Sequence, residues 1–225
     1  MIISYEANTP AEAWKYVLKK FPTHGVIVNG KKPVDDTKAI DGVIITKIKN
    51  PTDRVEKNPV YGQKFIDEYK TQFLNPDCNG FEYTYGNRLC AYSWANGVVS
   101  YEDELVVSQN QIGYIIKTLS KDKASRRAVA ITWQPWVDEF VEDVPCLQLV
   151  KCRVMKNKLH MEVVFRSHDM LLGYYPNVLG LSYLMDHIAD HVGVQKGSLT
   201  VVSLSPHVYY NRDRDVYKAV TGLSI

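Results

Sequence analysis

Four segments of the chain repeat apolar residues at the spacing of an α-helix. In residues 9–20, Thr9-Pro10 provides a helix-start signal, and Trp14 and Leu18 then fall on one face. The other three segments are 61–73, 109–120 and 177–193, of which the last is the most hydrophobic. We therefore predict four helices, and the spacing in the last two is typical of helices that face a core.

Other segments show the apolar runs and alternation of β-strands. They are 25–30, 41–51, 128–133, two strands between 146 and 166, and 198–210. Lys156 and Asn157 mark the turn between the two paired strands. Strict alternation then predicts one shared face for four residues of the first of them: Cys146, Gln148, Val150 and Cys152.

The order of these elements indicates the fold class. Helices and strands do not alternate regularly as βαβ units, which favours an α+β protein with a mixed β-sheet packed with helices over a doubly wound sheet. Residues 75–97, rich in Asn, Gly and Tyr, are expected to form a loop, and the residues after 210 a short polar tail. The chain has 225 residues and no convincing linker, so we expect one domain over 1–225.

Composition narrows the possible partners and location. Hydrophobic residues make up 45% and charged residues 23%, and the net charge of +2 does not favour a polyanion such as DNA. The first twenty residues lack a signal-peptide pattern, and no stretch reaches the roughly 18 apolar residues of a membrane span. The four cysteines form no CxxC pair, which indicates reduced thiols in a cytoplasmic protein.

Two polar clusters carry little information alone. His187 and His191 are four residues apart on a predicted helix, but no third ligand follows at a recognisable spacing, so we expect a solvated face and no metal. Arg126 and Arg127 follow Ser125 at a helix-to-strand junction, where guanidinium groups could hold a phosphate. Since neighbouring strand residues point to opposite faces, one of the two should turn inward or into an interface.

Cys146 follows Pro145 at the head of an apolar strand, and it could be either a buried small hydrophobe or a nucleophile. A reactive thiolate needs nearby positive charge to lower its pKa from about 8.5. The first residue of one hairpin strand lies opposite the last residue of the other, so we expect Arg166 beside Cys146. By the same alternation, His207 and Tyr209 share one face at a strand end.

Together these motifs resemble those of thymidylate synthase: SRR at 125–127, PC at 145–146, RSxDxxLGxxxN at 166–177 and HxY at 207–209. Their order and separations agree along residues 109–210. The resemblance implies a thymidylate synthase-like α+β fold and a homodimer that associates through its sheet. It also implies a methyltransferase that converts dUMP to dTMP. The cosubstrate would be 5,10-methylene-tetrahydrofolate or methylene-tetrahydromethanopterin, without a metal.

The resemblance also implies roles for individual residues. Cys146 would add to C6 of uracil, and Tyr85 of YTYGNRL would help to remove the C5 proton. Asp169 would act in catalysis by contacting the pterin. Asn177, also catalytic, would pair with O4 and N3–H of uracil; related deoxycytidylate enzymes typically have Asp there, so Asn favours dUMP. The residues implied to bind dUMP are Arg126 and Arg127 of the partner subunit, Arg166, Ser167, Asn177, His207 and Tyr209.

The chain departs from the family pattern in several places. Leu147 stands where most members have His, and Phe165 where many have Gln. Lys32 aligns near the position of the family's N-terminal phosphate-binding Arg, and Glu68 is the candidate for its water-ordering glutamate. The chain reaches Ile225 soon after HxY, which resembles a short archaeal type whose carbon donor could differ from an ordinary folate.

Two other functions stay open at the level of sequence. A hydroxymethylase acting on dUMP or dCMP would share every step except the final hydride transfer, and a site less closed to water would favour it. A non-catalytic protein that binds nucleotides or RNA is the alternative from another class. Such a protein has no physical need for a thiol at Cys146 with an arginine beside it.

Overall fold

The computed structural model describes residues 1–56, 58, 60–78, 80–92 and 109–225. Its strands are β1 Ile2–Ala7, β2 Gly25–Val28, β3 Thr37–Ile40, β4 Val43–Ile48, β5 Val129–Ile131, β6 Leu147–Met155, β7 Lys158–Phe165, β8 His168–Asp169, β9 Gln195–Ser203 and β10 Pro206–Val208. Its helices are α1 Pro10–Leu18, α2 Phe21–His24, α3 Gln63–Thr71, α4 Tyr85–Cys90, α5 Gln111–Lys121, α6 Pro135–Asp138, α7 Tyr174–Val192 and α8 Arg214–Thr221, with a 3₁₀ turn at Pro33–Asp35.

A six-stranded sheet in the order β1-β4-β9-β7-β6-β5 forms the centre of the fold. The β1/β4 and β7/β9 pairs are parallel, and the other three pairs are antiparallel. The core side of the sheet packs against α7, which is buried along most of its 19 residues. This mixed sheet with packed helices confirms the predicted α+β class.

The β6/β7 hairpin confirms the predicted turn but not the predicted face. Lys156 and Asn157 have φ values of 50° and 58°, the left-handed geometry of a tight hairpin turn. The β6 register shifts between Leu147 and Leu149, because a bulge interrupts strict alternation there. Leu147 therefore lies in the core with Val150 and Cys152, whereas Cys146 and Gln148 are only half-buried. The expectation that Cys146 and Gln148 share the face of Val150 and Cys152 was wrong.

A smaller sheet, in the order β2-β3-β10-β8, lies beside the end of this hairpin. The predicted single strand over 198–210 is two strands, because β9 ends at Ser203 and β10 joins the small sheet. β10 pairs with β8 in parallel, which sets His207 opposite Asp169. The predicted polar tail contains α8, whose Tyr217 is buried and donates from its hydroxyl to the Leu18 carbonyl.

The predicted helices are present with boundaries shifted by a few residues. Thr9 caps α1 by accepting from the backbone N–H of Glu12, and the Trp14 indole donates to the Met170 carbonyl at 2.9 Å. The loop predicted over 75–97 was wrong in part, because α4 lies within it; residues 79 and 93–97 are outside the described residues. β1 was not predicted at all.

A buried ion pair fixes α4. Arg88 on α4 and Asp138 at the end of α6 approach to 2.7 Å, with side chains 4% and 0% exposed. The same guanidinium donates to the Thr132 carbonyl at 3.2 Å. Because these partners lie 44 and 50 residues away in sequence, the position of α4 depends on tertiary contacts.

Candidate functional site

Cys146 and Arg166 lie at the open end of the β6/β7 hairpin, one before β6 and the other after β7. The Arg166 N–H donates to the Cys146 carbonyl at 2.8 Å, and Nη2 donates to the Cys146 Sγ at 3.9 Å. The guanidinium also donates to the carbonyls of Pro145 at 2.9 Å and Val144 at 2.8 Å. Arg166 therefore holds the turn that carries the thiol. The predicted proximity of Cys146 and Arg166 is confirmed.

The electrostatic environment of the thiol differs from the sequence expectation. Burial raises the pKa of Cys146 above its usual value, and the positive charge of Arg166 lowers it. The carboxylates of Asp143 and Asp169 raise this pKa further. The guanidinium favours the thiolate as expected, but burial outweighs it, so the thiol of the single chain without ligands stays protonated at neutral pH.

Three tyrosines from α3 and the start of α4 surround the thiol. Tyr83 and Tyr85 hydrogen-bond with the backbone of Cys146 and of Leu147, respectively, and their ring centroids are 6.1 Å apart. Burial raises the pKa of Tyr69, Tyr83 and Tyr85, so all three hydroxyls are protonated donors at neutral pH. Tyr85 was a sequence candidate. Tyr69 and Tyr83 were not, although Tyr83 lies in the same YTYGNRL motif.

Asn177 lies on the first turn of α7 and is 5% exposed. Its Oδ1 accepts from the Tyr69 hydroxyl at 2.6 Å, and its Nδ2 lies 3.3 Å from Nε2 of His168. The His168 Nδ1 is 2.9 Å from the Ser203 Oγ. Sequence reasoning missed His168, which occupies an unassigned position inside the RSxDxxLGxxxN motif.

Asp169 and His207 lie next to each other because β8 and β10 pair in parallel. Oδ1 of Asp169 accepts from the N–H groups of Leu171 and Leu172, while Oδ2 is 3.8 Å from a guanidinium nitrogen of Arg212. Burial raises the pKa of this carboxyl group, and the two N–H donors oppose that effect. The Asp169 side chain is 20% exposed, so its outer oxygen can accept from a ligand.

His207 and Tyr209 face a cleft of about 900 Å³, as the HxY pattern predicted. The two ring centroids are 5.2 Å apart, and Val208 between them is buried. Lys31 and Glu142 also line this cleft. Ser167 is half-buried immediately before β8. The structure thus brings the candidates from 146–177 and from 207–209 into one region.

The sequence comparisons agree with this arrangement. The family model described as Thymidylate synthase matches residues 41–222. This chain belongs to the thymidylate synthase family. It is 40% identical over 215 residues to a protein of Methanocaldococcus jannaschii, covering 92% of this chain and 91% of that one. It is 36% identical over 220 residues to a protein of Methanosarcina mazei, covering 97% and 94%. Both relatives carry the name "Putative thymidylate synthase".

Three candidates of this thymidylate synthase family member lie apart from the others. Arg126 and Arg127 precede β5 and are both exposed, so neither turns into the core of its own chain. The water-ordering role expected of Glu68 requires a buried position near Cys146, but Glu68 is exposed on α3. At the cleft it is Lys31, rather than the weakly suggested Lys32, that joins His207 and Tyr209.

The two departures from the family pattern are cross-strand partners. Leu147 on β6 pairs with Phe165 on β7, and both side chains are fully buried. Leu147 and Phe165, which stand where the family pattern has His and Gln, therefore contact each other across the two strands. The Phe165 ring also stacks on His168, with centroids 3.9 Å apart and an interplanar angle of 12°.

The two histidines of the predicted solvated face do not form a metal site in the part of the chain that the structure describes. His187 and His191 lie close, with ring centroids 4.3 Å apart, but no group of three His, Cys, Asp or Glu suited to a metal occurs among the described residues. Across the described ranges, no helix is long and apolar enough to span a membrane.

Proposed function

We propose that this chain catalyses the reductive methylation of dUMP to dTMP, with Cys146 as the nucleophile. The observation that carries the proposal is the 3.9 Å contact between the Cys146 Sγ and the Arg166 guanidinium at the mouth of the hairpin. Family membership supports it, as do Asn177 and Asp169 in the same region. The 35–40% identity to archaeal relatives named for this activity points the same way.

The first step requires a thiolate that attacks C6 of the uracil ring. The new C–S bond moves the ring electrons onto C5 and O4, and C5 becomes able to attack a one-carbon unit. Burial raises the pKa of Cys146, so the proton must leave the thiol as the substrate binds. Two further guanidinium groups near the site would assist this loss, because nearby positive charge stabilises a thiolate.

We infer that a second copy of the chain supplies those groups as Arg126 and Arg127. Both are exposed in the single chain, at the start of the edge strand β5. Together with Arg166 and Ser167 they would bind the nucleotide phosphate, since guanidinium forks suit phosphate oxygens. His207 and Tyr209, which face the 900 Å³ cleft, would bind the deoxyribose hydroxyl.

The proton on C5 must be removed before the cysteine can leave. Tyr85 is our candidate for this role, which its hydrogen bond with the Leu147 backbone, next to Cys146, supports. A neutral phenol can take part in this transfer by accepting the proton while passing its own proton to water. Loss of that proton would break the bond between the transferred carbon and the pterin nitrogen, leaving an exocyclic methylene on C5. Hydride transfer from the released tetrahydropterin to this methylene would form the methyl group, and expulsion of the Cys146 thiolate would then restore the C5–C6 double bond and the free enzyme.

A methylene-tetrahydropterin is the cosubstrate that we propose, and the Asp169 carboxylate is the hydrogen-bond acceptor available to bind it. It would supply both the carbon unit and the hydride, and the half-buried Asp169 carboxylate would accept from an N–H group of its ring. The Asp169 Oδ2 lies 3.8 Å from the Arg212 guanidinium, beyond hydrogen-bonding distance, so a donor of the pterin ring can compete for this oxygen.

The test is release of tritium from dUMP labelled at C5, with each of the two pterins as donor. Wild-type protein should release label, and Cys146→Ala should abolish release. Cys78→Ala is the matched control and should release label at the wild-type rate, because Cys78 is a half-buried thiol outside the site. No release with either pterin would refute the proposal. Recovery of hydroxymethyl-dUMP instead of dTMP would assign the hydroxymethylase reaction.

Subunit exchange tests the shared site. Neither Cys146→Ala nor the double variant Arg126→Ala/Arg127→Ala should be active alone. After exchange between them, about a quarter of wild-type activity should return, because half of the dimers are mixed and each holds one complete site. No recovery, in a mixture where exchange is demonstrated, would contradict the donation of these arginines across an interface.

A further inference from the structure

His168 is a histidine buried beside the candidate base-recognition residue. Its side chain is 2% exposed and stacks flat on Phe165 at a centroid distance of 3.9 Å. Both ring nitrogens have partners: Nδ1 lies 2.9 Å from the Ser203 Oγ, and Nε2 lies 3.3 Å from the Asn177 Nδ2. The ring therefore connects β9 to α7 through two hydrogen bonds.

The partners determine the tautomer of this ring. An amide nitrogen carries only hydrogens, so Nε2 of His168 must accept from Asn177. The ring hydrogen is then on Nδ1, which donates to the Ser203 hydroxyl. Burial lowers the pKa of His168 to about 3, so the ring is neutral near pH 7 and keeps the lone pair on Nε2.

The lone pair on Nε2 of His168 in turn favours this orientation of the Asn177 amide. Tyr69 donates to Oδ1 at 2.6 Å while Nδ2 donates to His168, which leaves one N–H and one oxygen lone pair unused among the residues that the structure describes. A flipped amide would set its oxygen against the lone pair of Nε2, an arrangement without a hydrogen. With His168 in this tautomer, only one orientation of the amide is satisfied.

We propose that His168 is a positioning residue that sets substrate specificity by fixing the orientation of the Asn177 amide. The inference rests on the proposed function and adds to it the residue that enforces the choice of base. In the fixed orientation the unused N–H donates to O4 of uracil, and the unused lone pair accepts from N3–H. Cytosine carries a donor at the 4-position and an acceptor at N3, so it requires the flipped amide.

The test compares binding of dUMP and dCMP by wild-type protein and by His168→Phe. Phenylalanine keeps the stack on Phe165 and removes the acceptor, so the preference for dUMP over dCMP should fall on the order of ten- to a hundredfold. His168→Gln places an amide oxygen near Asn177 and should retain more of that preference. The control His191→Phe, an exposed residue at the far end of α7, should leave it unchanged.

Purely structural damage predicts a different result. It would weaken the binding of dUMP and dCMP equally and leave the ratio of their affinities unchanged. An unchanged ratio in a folded His168→Phe protein would overturn the inference. Nitrogen NMR of the wild-type protein tests it without any variant, because the ring of His168 should carry its hydrogen on Nδ1. A hydrogen on Nε2 would also overturn it.

Two measurements separate the role of His168 from the proposed reaction. Wild-type protein that releases no tritium from dUMP with either pterin refutes the reaction. Wild-type protein that releases tritium, together with a His168→Phe variant of unchanged dUMP preference, refutes only the role of His168. Ser203→Ala adds a graded check: without its acceptor for Nδ1–H, the preference should decline by less than in His168→Phe.

Discussion

Replacing His168 should change how the stability of the protein depends on pH. Burial lowers the pKa of His168 to about 3 in the folded protein, whereas an unfolded histidine titrates near 6.5. Below pH ~6.5 the unfolded chain therefore binds a proton that the folded chain excludes. Stability falls as the pH drops from ~6.5 toward ~3 and is unaffected by this residue above that window.

The magnitude follows from the two pKa values. Between about pH 7 and about pH 5 the unfolded histidine becomes almost fully protonated, which corresponds to about 2 kcal/mol of lost unfolding free energy. His168→Phe removes the titrating group but keeps an aromatic ring against Phe165. Whatever its stability at neutral pH, this variant should lose about 2 kcal/mol less than wild type over the same interval.

Urea unfolding at fixed protein concentration measures the difference, provided that the slope against urea stays constant. The buried carboxylates titrate in both proteins and cancel from the comparison. Equal losses in wild type and His168→Phe would refute the reasoning, because they would mean that the buried ring takes up a proton without cost.

Three further expectations follow from the described contacts. Arg166→Met should raise the midpoint pH for alkylation of Cys146 by iodoacetamide, because the Arg166 guanidinium lowers the pKa of that thiol; an unchanged or lower midpoint would contradict this. Arg88→Met should cost about 3–5 kcal/mol in urea unfolding, with part regained by adding Asp138→Asn, because one partner alone leaves a buried charge. Asn157→Val should cost about 1–2 kcal/mol, since a β-branched residue tolerates its positive φ poorly; an unchanged midpoint would refute this.

The parts of the fold that local patterns determine could be predicted. The hairpin has alternating strands and a turn at Lys156 and Asn157, and these alone place Arg166 beside Cys146. The helices α1 and α5 have an apolar period over nine or more residues, and α7 is a long, mostly apolar segment. Such segments need only the neighbouring sequence to specify them.

The elements that were missed depend on distant partners. α4 is only six residues long, and its Arg88 pairs with Asp138, 50 residues away. Strict alternation also failed at the β6 bulge, which moves Leu147 into the core beneath the candidate nucleophile. A bulge adds one residue to one strand and leaves no pattern in the apolar sequence that strict alternation would detect.

The same distinction applies to the site. Residue types that touch a substrate form recognisable motifs, but the groups that orient them come from elsewhere in the chain: Tyr69 lies 108 residues from Asn177. His168 lies within a motif, yet its role depends on Ser203 and on the Phe165 ring beneath it. A polar Gln at 165, usual in many relatives, would remove that stacked ring. We therefore expect Phe165 and His168 to act as a unit, so that Phe165→Gln weakens the dUMP preference only while His168 is present.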